Sequence, residues 1–236
     1  MAEGGINLAV IPARGGSKRI PRKNIKPFAG KAMISYAIDA ALQSGTFDRV
    51  VVSTDDAEIA DVARASGAQV PFMRPAELSD DYTPTVPVIA HAIGDCEAAG
   101  LSIKHVCCIY PGVPMLDPAD LRTALEVLLA GGTDYVFPVA PFPAAIQRAL
   151  KRAEDGTTRP FHPEHATTRT QDLEPGYYDA GQFYWGLRDA WMKGLTLHTH
   201  GKTIVLPEWR VVDIDTPDDW TRAELMYEAF GGARRA

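Results

Sequence analysis

The chain has 236 residues, 46% of them hydrophobic, and a formal net charge of -6, which suits one domain with a full core, spanning 1–236. An acidic balance with basic residues gathered near the start argues against a duplex nucleic-acid binder and for a small anionic ligand. Cys96, Cys107 and Cys108 have neither metal-ligand spacing nor the pattern of a disulfide scaffold, so a reducing, cytoplasmic setting is expected, and the start of the chain, with Glu3, suggests neither a signal peptide nor a membrane span.

The apolar run Leu8 to Ile11 predicts a buried strand. It leads into Pro12-Ala13-Arg14-Gly15-Gly16-Ser17-Lys18-Arg19-Ile20-Pro21-Arg22-Lys23-Asn24. Glycine lets backbone approach a ligand closely, and consecutive amides can form an anion nest. Arg14, Lys18, Arg19, Arg22 and Lys23 add positive charge. Such a loop holds a triphosphate, or else is a solvated basic loop around a structural Gly-Gly turn. It has neither the ATPase-loop spacing nor the dinucleotide fingerprint Gly-x-Gly-x-x-Gly. Ile34 to Leu42 predicts a helix closed at Gly45. Arg49 to Ser53 reads as a strand running into Thr54-Asp55-Asp56. A helix from Glu58 to Ser66, stopped by Gly67, and a strand from Gln69 to Phe72 follow. This alternation predicts a mostly parallel sheet covered on both faces, a three-layer α/β fold. Ligands then gather beyond the C-terminal strand ends, where Arg14 and Asp55 share an edge.

The polar stretch Arg74 to Thr85 reads as a surface loop whose Thr83 or Thr85 caps a helix over 86–99. His105 to Tyr110 is a strand with Cys107 and Cys108 as buried small hydrophobes. Pro111 to Leu116 is a loop. Asp117 caps a helix with Pro118 in its first turn, ending at Gly131-Gly132. After the strand Tyr135 to Val139, the proline-rich stretch 140–178 reads as an inserted arm of hairpins. His162 and His165 there lack a third ligand for a metal. Tyr178 to Gly186 and Thr203 to Leu206 predict strands, with a short helix from Asp189 between them. In Val211 to Asp215, strand alternation puts Asp213 and Asp215 on one face and Val212 and Ile214 on the other. Two carboxylates that close suit Mg²⁺ shared with phosphate oxygens. Thr216 and Pro217 start the last helix, which reaches about Phe230 and stops at Gly231-Gly232; the tail Arg234-Arg235-Ala236 is expected to fray.

The loop Ala13-Arg14-Gly15-Gly16-Ser17-Lys18 to Lys23-Asn24 resembles the N-terminal signature of the sugar-acid cytidylyltransferases, which activate sialic acid and its relatives with CTP. Arg74-Pro75-Ala76-Glu77-Leu78-Ser79-Asp80-Asp81, Arg169-Thr170-Gln171-Asp172-Leu173, Asp179 to Trp185 and Asp213-Ile214-Asp215-Thr216-Pro217 resemble further family motifs in the same order. The resemblance implies a Rossmann-like nucleotidyltransferase fold whose arm, 140–178, builds a homodimer and helps form the partner's sugar site. It implies transfer of CMP from CTP to the anomeric hydroxyl of a nine-carbon α-keto acid sugar, with Mg²⁺, and no nucleic-acid or membrane partner. Arg14, Lys18, Lys23, Asp213 and Asp215 would be catalytic, the last two as metal ligands. Ala13, Arg14, Gly15, Gly16, Ser17, Lys23, Asn24, Arg74, Asp81, Thr83 and Thr85 would bind the nucleotide. Tyr110, Gln147, Arg169, Gln171, Asp179, Gln182 and Tyr184 would bind the sugar, Arg169 through either the substrate's carboxylate or one at the interface. The first loop, Tyr110, Phe142 to Arg148 and Asp179 to Trp185 are most similar to the branch acting on pseudaminic acid. A sialic or legionaminic acid acceptor is the alternative, as is a non-catalytic nucleotide-binding homologue, since Gly112 stands where relatives carry threonine. No side chain stands out as general base.

Overall fold

The computed structural model describes residues 5–231, so Glu3, the helix stop at Gly232 and the tail Arg234-Arg235-Ala236 lie outside the described residues. In chain order the elements are β1 (Ile6–Pro12), β2 (Pro27–Phe28), β3 (Lys31–Ala32), α1 (Met33–Ser44), β4 (Arg49–Ser53), α2 (Ala57–Ala65), α3 (Thr85–Ala98), β5 (Ile103–Ile109), α4 (Pro118–Leu129), β6 (Tyr135–Pro141), β7 (Leu150–Arg152), β8 (Thr158–Pro160), β9 (Tyr177–Asp179), β10 (Phe183–Leu187), α5 (Arg188–Met192), β11 (Gly201–Val205) and α6 (Pro217–Gly231). The main sheet runs β11-β6-β10-β5-β1-β4, with β9 also beside β6.

Alternation along the central strands divides the core. Ala9 and Ile11 of β1 and Cys107 and Ile109 of β5 face a layer of α1, α2 and α4, through Ile38, Ile59 and Leu125 among others. Leu8, Val10, Val106 and Cys108 face the opposite layer, where Ile89 and Ile93 of α3 and Trp191 of α5 meet them. Side chains two apart point to one face of a strand, so a strand buried on both faces has no polar side. Burial pushes both thiols of β5 well above their ordinary range, which makes them inert packing groups.

The sheet is mixed, which corrects the expectation of a mostly parallel one. β1 is parallel to β4 and β5, and β11 is parallel to β6. β10, however, lies between β5 and β6 and is antiparallel to both, and β9 is antiparallel to β6. The cause is the arm. The chain leaves the C-terminal edge of the sheet after β6 and returns to that same edge at β9, so β10 must run the other way. An antiparallel return needs no crossover helix. Two other predicted strands are absent. Gln69 makes one isolated bridge, to Val51, and Val211 to Asp215 pairs with nothing in the sheet. The α3 cap also differs: Pro84 sits at the cap position and no side chain caps the helix.

A third cluster positions the site. Ile20 and Phe28 pack with Met33 and Tyr36 of α1 and with Ile214, Trp220 and Ala223. Phe28 meets Tyr36, Trp220 and Tyr227 edge-on at 5.4–5.6 Å, a favoured aromatic geometry. The cluster joins the stretch after β1 to the start of α6. The arm contrasts with this. Both strands of its β7–β8 hairpin are exposed, as are Phe142, Ile146, Leu150 and Phe161.

Candidate active site

The loop after β1 is shaped by the chain leaving β4. The Ala13 amide donates to the Ser53 carbonyl at 2.9 Å, and the Gly15 amide to Asp55 Oδ1 at 2.9 Å. A Cβ on Gly15 would lie 2.6 Å from Asp56 Oδ2, so a side chain there would drive loop and carboxylate apart. Asp56 caps α2, accepting from the Ile59 amide at 3.0 Å. It also pairs with Arg22, whose guanidinium holds its carboxyl below the usual carboxylate range. Arg22 stands at φ 56°, in the left-handed region; its bonds to Asp56 and Glu58 hold it there. The buried Asn24 side chain donates to the Arg14 carbonyl at 3.0 Å.

The loop forms one wall of a cleft of about 450 Å³, lined by Pro12, Arg14, Ser17, Lys18, Arg19, Lys23, Asn24, Asp81, Pro111 and Asp215. It lies beyond the C-terminal ends of β1 and β5, as open α/β sheets dictate. Asp81 pairs with both Lys18 and Arg14, which hold its carboxyl below the usual range, Lys18 foremost. Arg19 donates to Asp215 Oδ2 at 2.7 Å. Lys23 donates to the Ile214 carbonyl at 2.7 Å and reaches Asp215 Oδ1 at 3.4 Å. That carbonyl is open to Lys23 because the acidic segment belongs to no sheet ladder. Of the alternation read from the sequence, two positions hold without the strand, Ile214 buried and Asp213 exposed, whereas Val212 and Asp215 are both half-buried. Crowding by protein, then the charge of Asp215, pushes the Asp213 carboxyl above its ordinary value. Like charges side by side disfavour ionisation unless a cation intervenes.

Among the described residues no group of three or more His, Cys, Asp or Glu side chains could hold a metal ion. Asp213 and Asp215 are two, which suits Mg²⁺ only in company with phosphate oxygens and water.

Behind the cleft, the Arg74 side chain is 4% exposed, with its Nη2 3.9 Å from Asp55. Its Nε and Nη2 have no hydrogen-bond partner, and burial pulls its pKa down. Thr83 donates to Asp80 at 2.7 Å. The Thr85 hydroxyl meets the Tyr110 hydroxyl at 2.8 Å, and the Tyr110 ring lies edge-on to Tyr184 at 5.5 Å. Tyr184 donates to Asp179 Oδ2 at 2.8 Å, and His198 Nε2 lies 2.7 Å from the same oxygen. Burial, then Tyr110 and Asp179, pushes the Tyr184 hydroxyl far above its ordinary range, so it stays a donor.

Other expected site residues stand away from the cleft. Gln147, Arg169 and Gln171 lie on the arm. Gln147 donates to the Glu174 carbonyl at 2.8 Å and Arg169 to Asp172 at 2.9 Å. Gln182 is buried and donates to the Arg210 carbonyl at 3.0 Å. Ser17, by contrast, lines the cleft, and Gly16 beside it has open space where a Cβ would be. Sequence reasoning passed over Arg19, Asp56 and His198 as site residues. Arg19 had a signal, its place in the basic loop; the other two are brought in by tertiary contacts alone.

A family model described as cytidylyltransferase matches residues 8–173. Pseudaminic acid cytidylyltransferase of Campylobacter jejuni subsp. jejuni serotype O:2 is 43% identical over 223 residues, covering 94% of this chain and 96% of that protein. CMP-N,N'-diacetyllegionaminic acid synthase of Legionella pneumophila subsp. pneumophila is 32% identical over 229 residues, again 94% and 96%. A solved CMP:2-keto-3-deoxy-manno-octonic acid synthetase complexed with CTP shares the fold, with TM-score 0.72 at 18% identity over 94% of this chain and 98% of that one. With a matching model over most of its length and full-length relatives at this identity, the chain belongs to the cytidylyltransferase family.

Proposed function

We propose that the protein transfers CMP from CTP to the anomeric hydroxyl of a nine-carbon α-keto acid sugar, pseudaminic acid in preference to sialic or legionaminic acid, and releases pyrophosphate. The observation that carries the reading is the cleft itself, a basic loop facing Asp215 across the strand ends, with Asp213 two residues away on the same segment. The 43% identity to a pseudaminic acid enzyme supports the choice of acceptor.

Attack on the α-phosphate needs in-line geometry and neutralisation of charge on the leaving pyrophosphate. Arg14, Lys18 and Lys23 supply that charge, with the Gly16 backbone amide beside it, while the Gly15 and Ser17 amides are spent on Asp55 and on the Gly15 carbonyl and hold the loop in shape. Arg74, with donors unspent, Thr83 in the same loop and Thr85 at the start of α3 would meet the cytosine, and Asn24 would keep the basic loop in shape. Asp81 acts as a counter-ion to the phosphate-binding cations rather than as a nucleotide contact. Asp213 and Asp215 would hold Mg²⁺, which when bound neutralises phosphate charge and lowers the pKa of the attacking hydroxyl. Tyr110, Tyr184 and Asp179 would border the acceptor. Gln182 serves through the backbone it holds.

A pyrophosphate-release assay tests this, crossing CTP, UTP and ATP with pseudaminic, N-acetylneuraminic, legionaminic and octulosonic acids. The expected result is turnover with CTP and pseudaminic acid at least about tenfold above any other pair. Faster use of N-acetylneuraminic acid would overturn the acceptor assignment, and equal use of UTP the base assignment. No turnover with any pair would favour a binding-only homologue.

The same reading makes the protein a homodimer joined through the arm. Phe142, Ile146, Leu150 and Phe161 are 42–58% exposed, a cluster of apolar surface of the kind that marks an interface. Light scattering at micromolar protein should give twice the 25.6 kDa chain mass. A 25.6 kDa particle would refute it. No described helix is long and apolar enough to cross a membrane, and three free buried cysteines fit a cytoplasmic enzyme.

A further inference from the structure

The segment bearing Asp213 and Asp215 has no ladder of its own, so other contacts must set its place. At its far end Asp219 accepts from the Thr216 amide at 2.8 Å, and Thr216 Oγ1 accepts from the Asp219 amide at 3.2 Å. Burial of Ile214 and Trp220 seals that end. At its near end stands Arg210, whose side chain is 12% exposed. Nη2 donates to Asp120 Oδ1 at 3.0 Å and Nη1 to Asp117 Oδ2 at 3.4 Å. Asp117 caps α4, accepting from the Ala119 amide at 2.9 Å, and follows the loop whose Pro111 lines the cleft.

The backbone of Arg210 completes the junction. Its carbonyl accepts from Gln182, and the Gln182 carbonyl accepts from the Tyr110 amide at 2.9 Å. One residue thus ties the end of β5, the approach to β10 and the start of α4 to the acidic segment. A guanidinium buried between two carboxylates adds little net stability, because desolvation offsets the attraction. Its planar fork, however, fixes two partners in direction as well as distance.

We infer that Arg210 is a positioning residue for the metal end of the site. It holds Asp213 and Asp215 at the place where they meet a divalent cation on the substrate's phosphates. The inference rests on the proposed nucleotidyl transfer and adds a residue three positions from Asp213 that touches neither substrate nor metal.

The test uses the full chain and Mn²⁺ as probe. Free Mn²⁺ is followed by electron paramagnetic resonance in the presence of CTP, beside steady-state kinetics and a thermal melt. Arg210→Lys keeps the charge and loses the fork. It should weaken Mn²⁺ binding to the enzyme–CTP complex about tenfold, the usual effect of removing a group that orients a metal ligand. The KM for the acceptor should stay within about twofold, and kcat, reduced at low metal, should recover at high metal. Asp120→Asn, at the other end of the clamp, should do the same more weakly, and it serves if the lysine variant folds poorly. Unchanged Mn²⁺ affinity alongside a lower melting temperature would overturn the inference and make Arg210 structural only. Wild-type enzyme that binds Mn²⁺ with CTP yet releases no pyrophosphate with any acceptor would instead sink the proposed reaction and leave the positioning role standing.

Discussion

Asp215→Ala should cut turnover about a thousandfold while leaving the melting temperature within a few degrees of wild type. Its carboxylate faces the cleft, 36% exposed, and pairs with Arg19 and Lys23. Ion pairs this open to water contribute little to folding, and Lys23 keeps its bond to the Ile214 carbonyl without it. The catalytic loss is of another order. Asp213 alone is a poor site for a cation that needs two carboxylates and phosphate oxygens, and losing one element of preorganised charge stabilisation costs about 10²–10³ in rate. The measurement is kcat at saturating Mg²⁺ beside a thermal melt. Turnover within about twofold of wild type would show that the pair does not serve a metal. Asp215→Asn keeps the shape and should fail nearly as badly, since the charge is what matters.

Gly186→Ala tests the fold as sharply as Asp215 tests the chemistry. A Cβ on Gly186 of β10 would lie 2.5 Å from Trp191 Nε1 and 2.6 and 2.7 Å from the Tyr135 ring. Neither neighbour can step aside cheaply. Both are fully buried and meet edge-on at 5.0 Å. Trp191 donates to the Val106 carbonyl at 3.2 Å and Tyr135 to the Leu195 carbonyl at 3.2 Å. Overpacking of this kind costs about 1–3 kcal/mol. For a chain of this size each kcal/mol moves the melting temperature by about 2–4 °C, so a drop of roughly 5–10 °C is expected by scanning calorimetry. The KM for CTP should hold, because Gly186 pairs with Val106 and Tyr135, away from the strand ends that carry the cleft. A melting temperature within about 1 °C of wild type would mean that the two rings have room to yield.

Much of this was legible because local chemistry decides it. Leu8 to Ile11 could only be buried, Gly15 stands where a side chain would strike Asp56, and Asp117-Pro118 starts α4 as such a pair should. Strand direction was not legible. Phe183 to Trp185 is apolar on both faces, and such a run reads alike whether it lies parallel or antiparallel to β5. Alternation in Val212, Asp213, Ile214 and Asp215 reported the burial of Ile214 and the exposure of Asp213 but not the equal half-burial of Val212 and Asp215, and it reported ladder pairing wrongly, since a buried side chain does not require a neighbouring strand. The site had the same division. Arg14, Lys18, Lys23 and Asp215 share one cleft. Gln182, read as a sugar contact, turns its amide onto backbone almost thirty residues away in sequence, a partner that only the folded chain supplies.

Asp81 and Asp215 give the basic loop counter-ions that belong to the protein. A bare cluster of Arg14, Lys18, Arg19 and Lys23 would repel itself and recruit small anions from the buffer. Here carboxylates from two distant segments already occupy those cations. An arriving triphosphate therefore exchanges one anion for another instead of shedding bound salt, and freeing Asp81 releases the loop that carries Thr83 and leads into Thr85 at the start of α3. Nucleotide affinity should then fall more gently with ionic strength than it does for an uncovered basic patch, and a chain of net charge -6 can keep a strongly cationic site without becoming sticky toward every polyanion it meets.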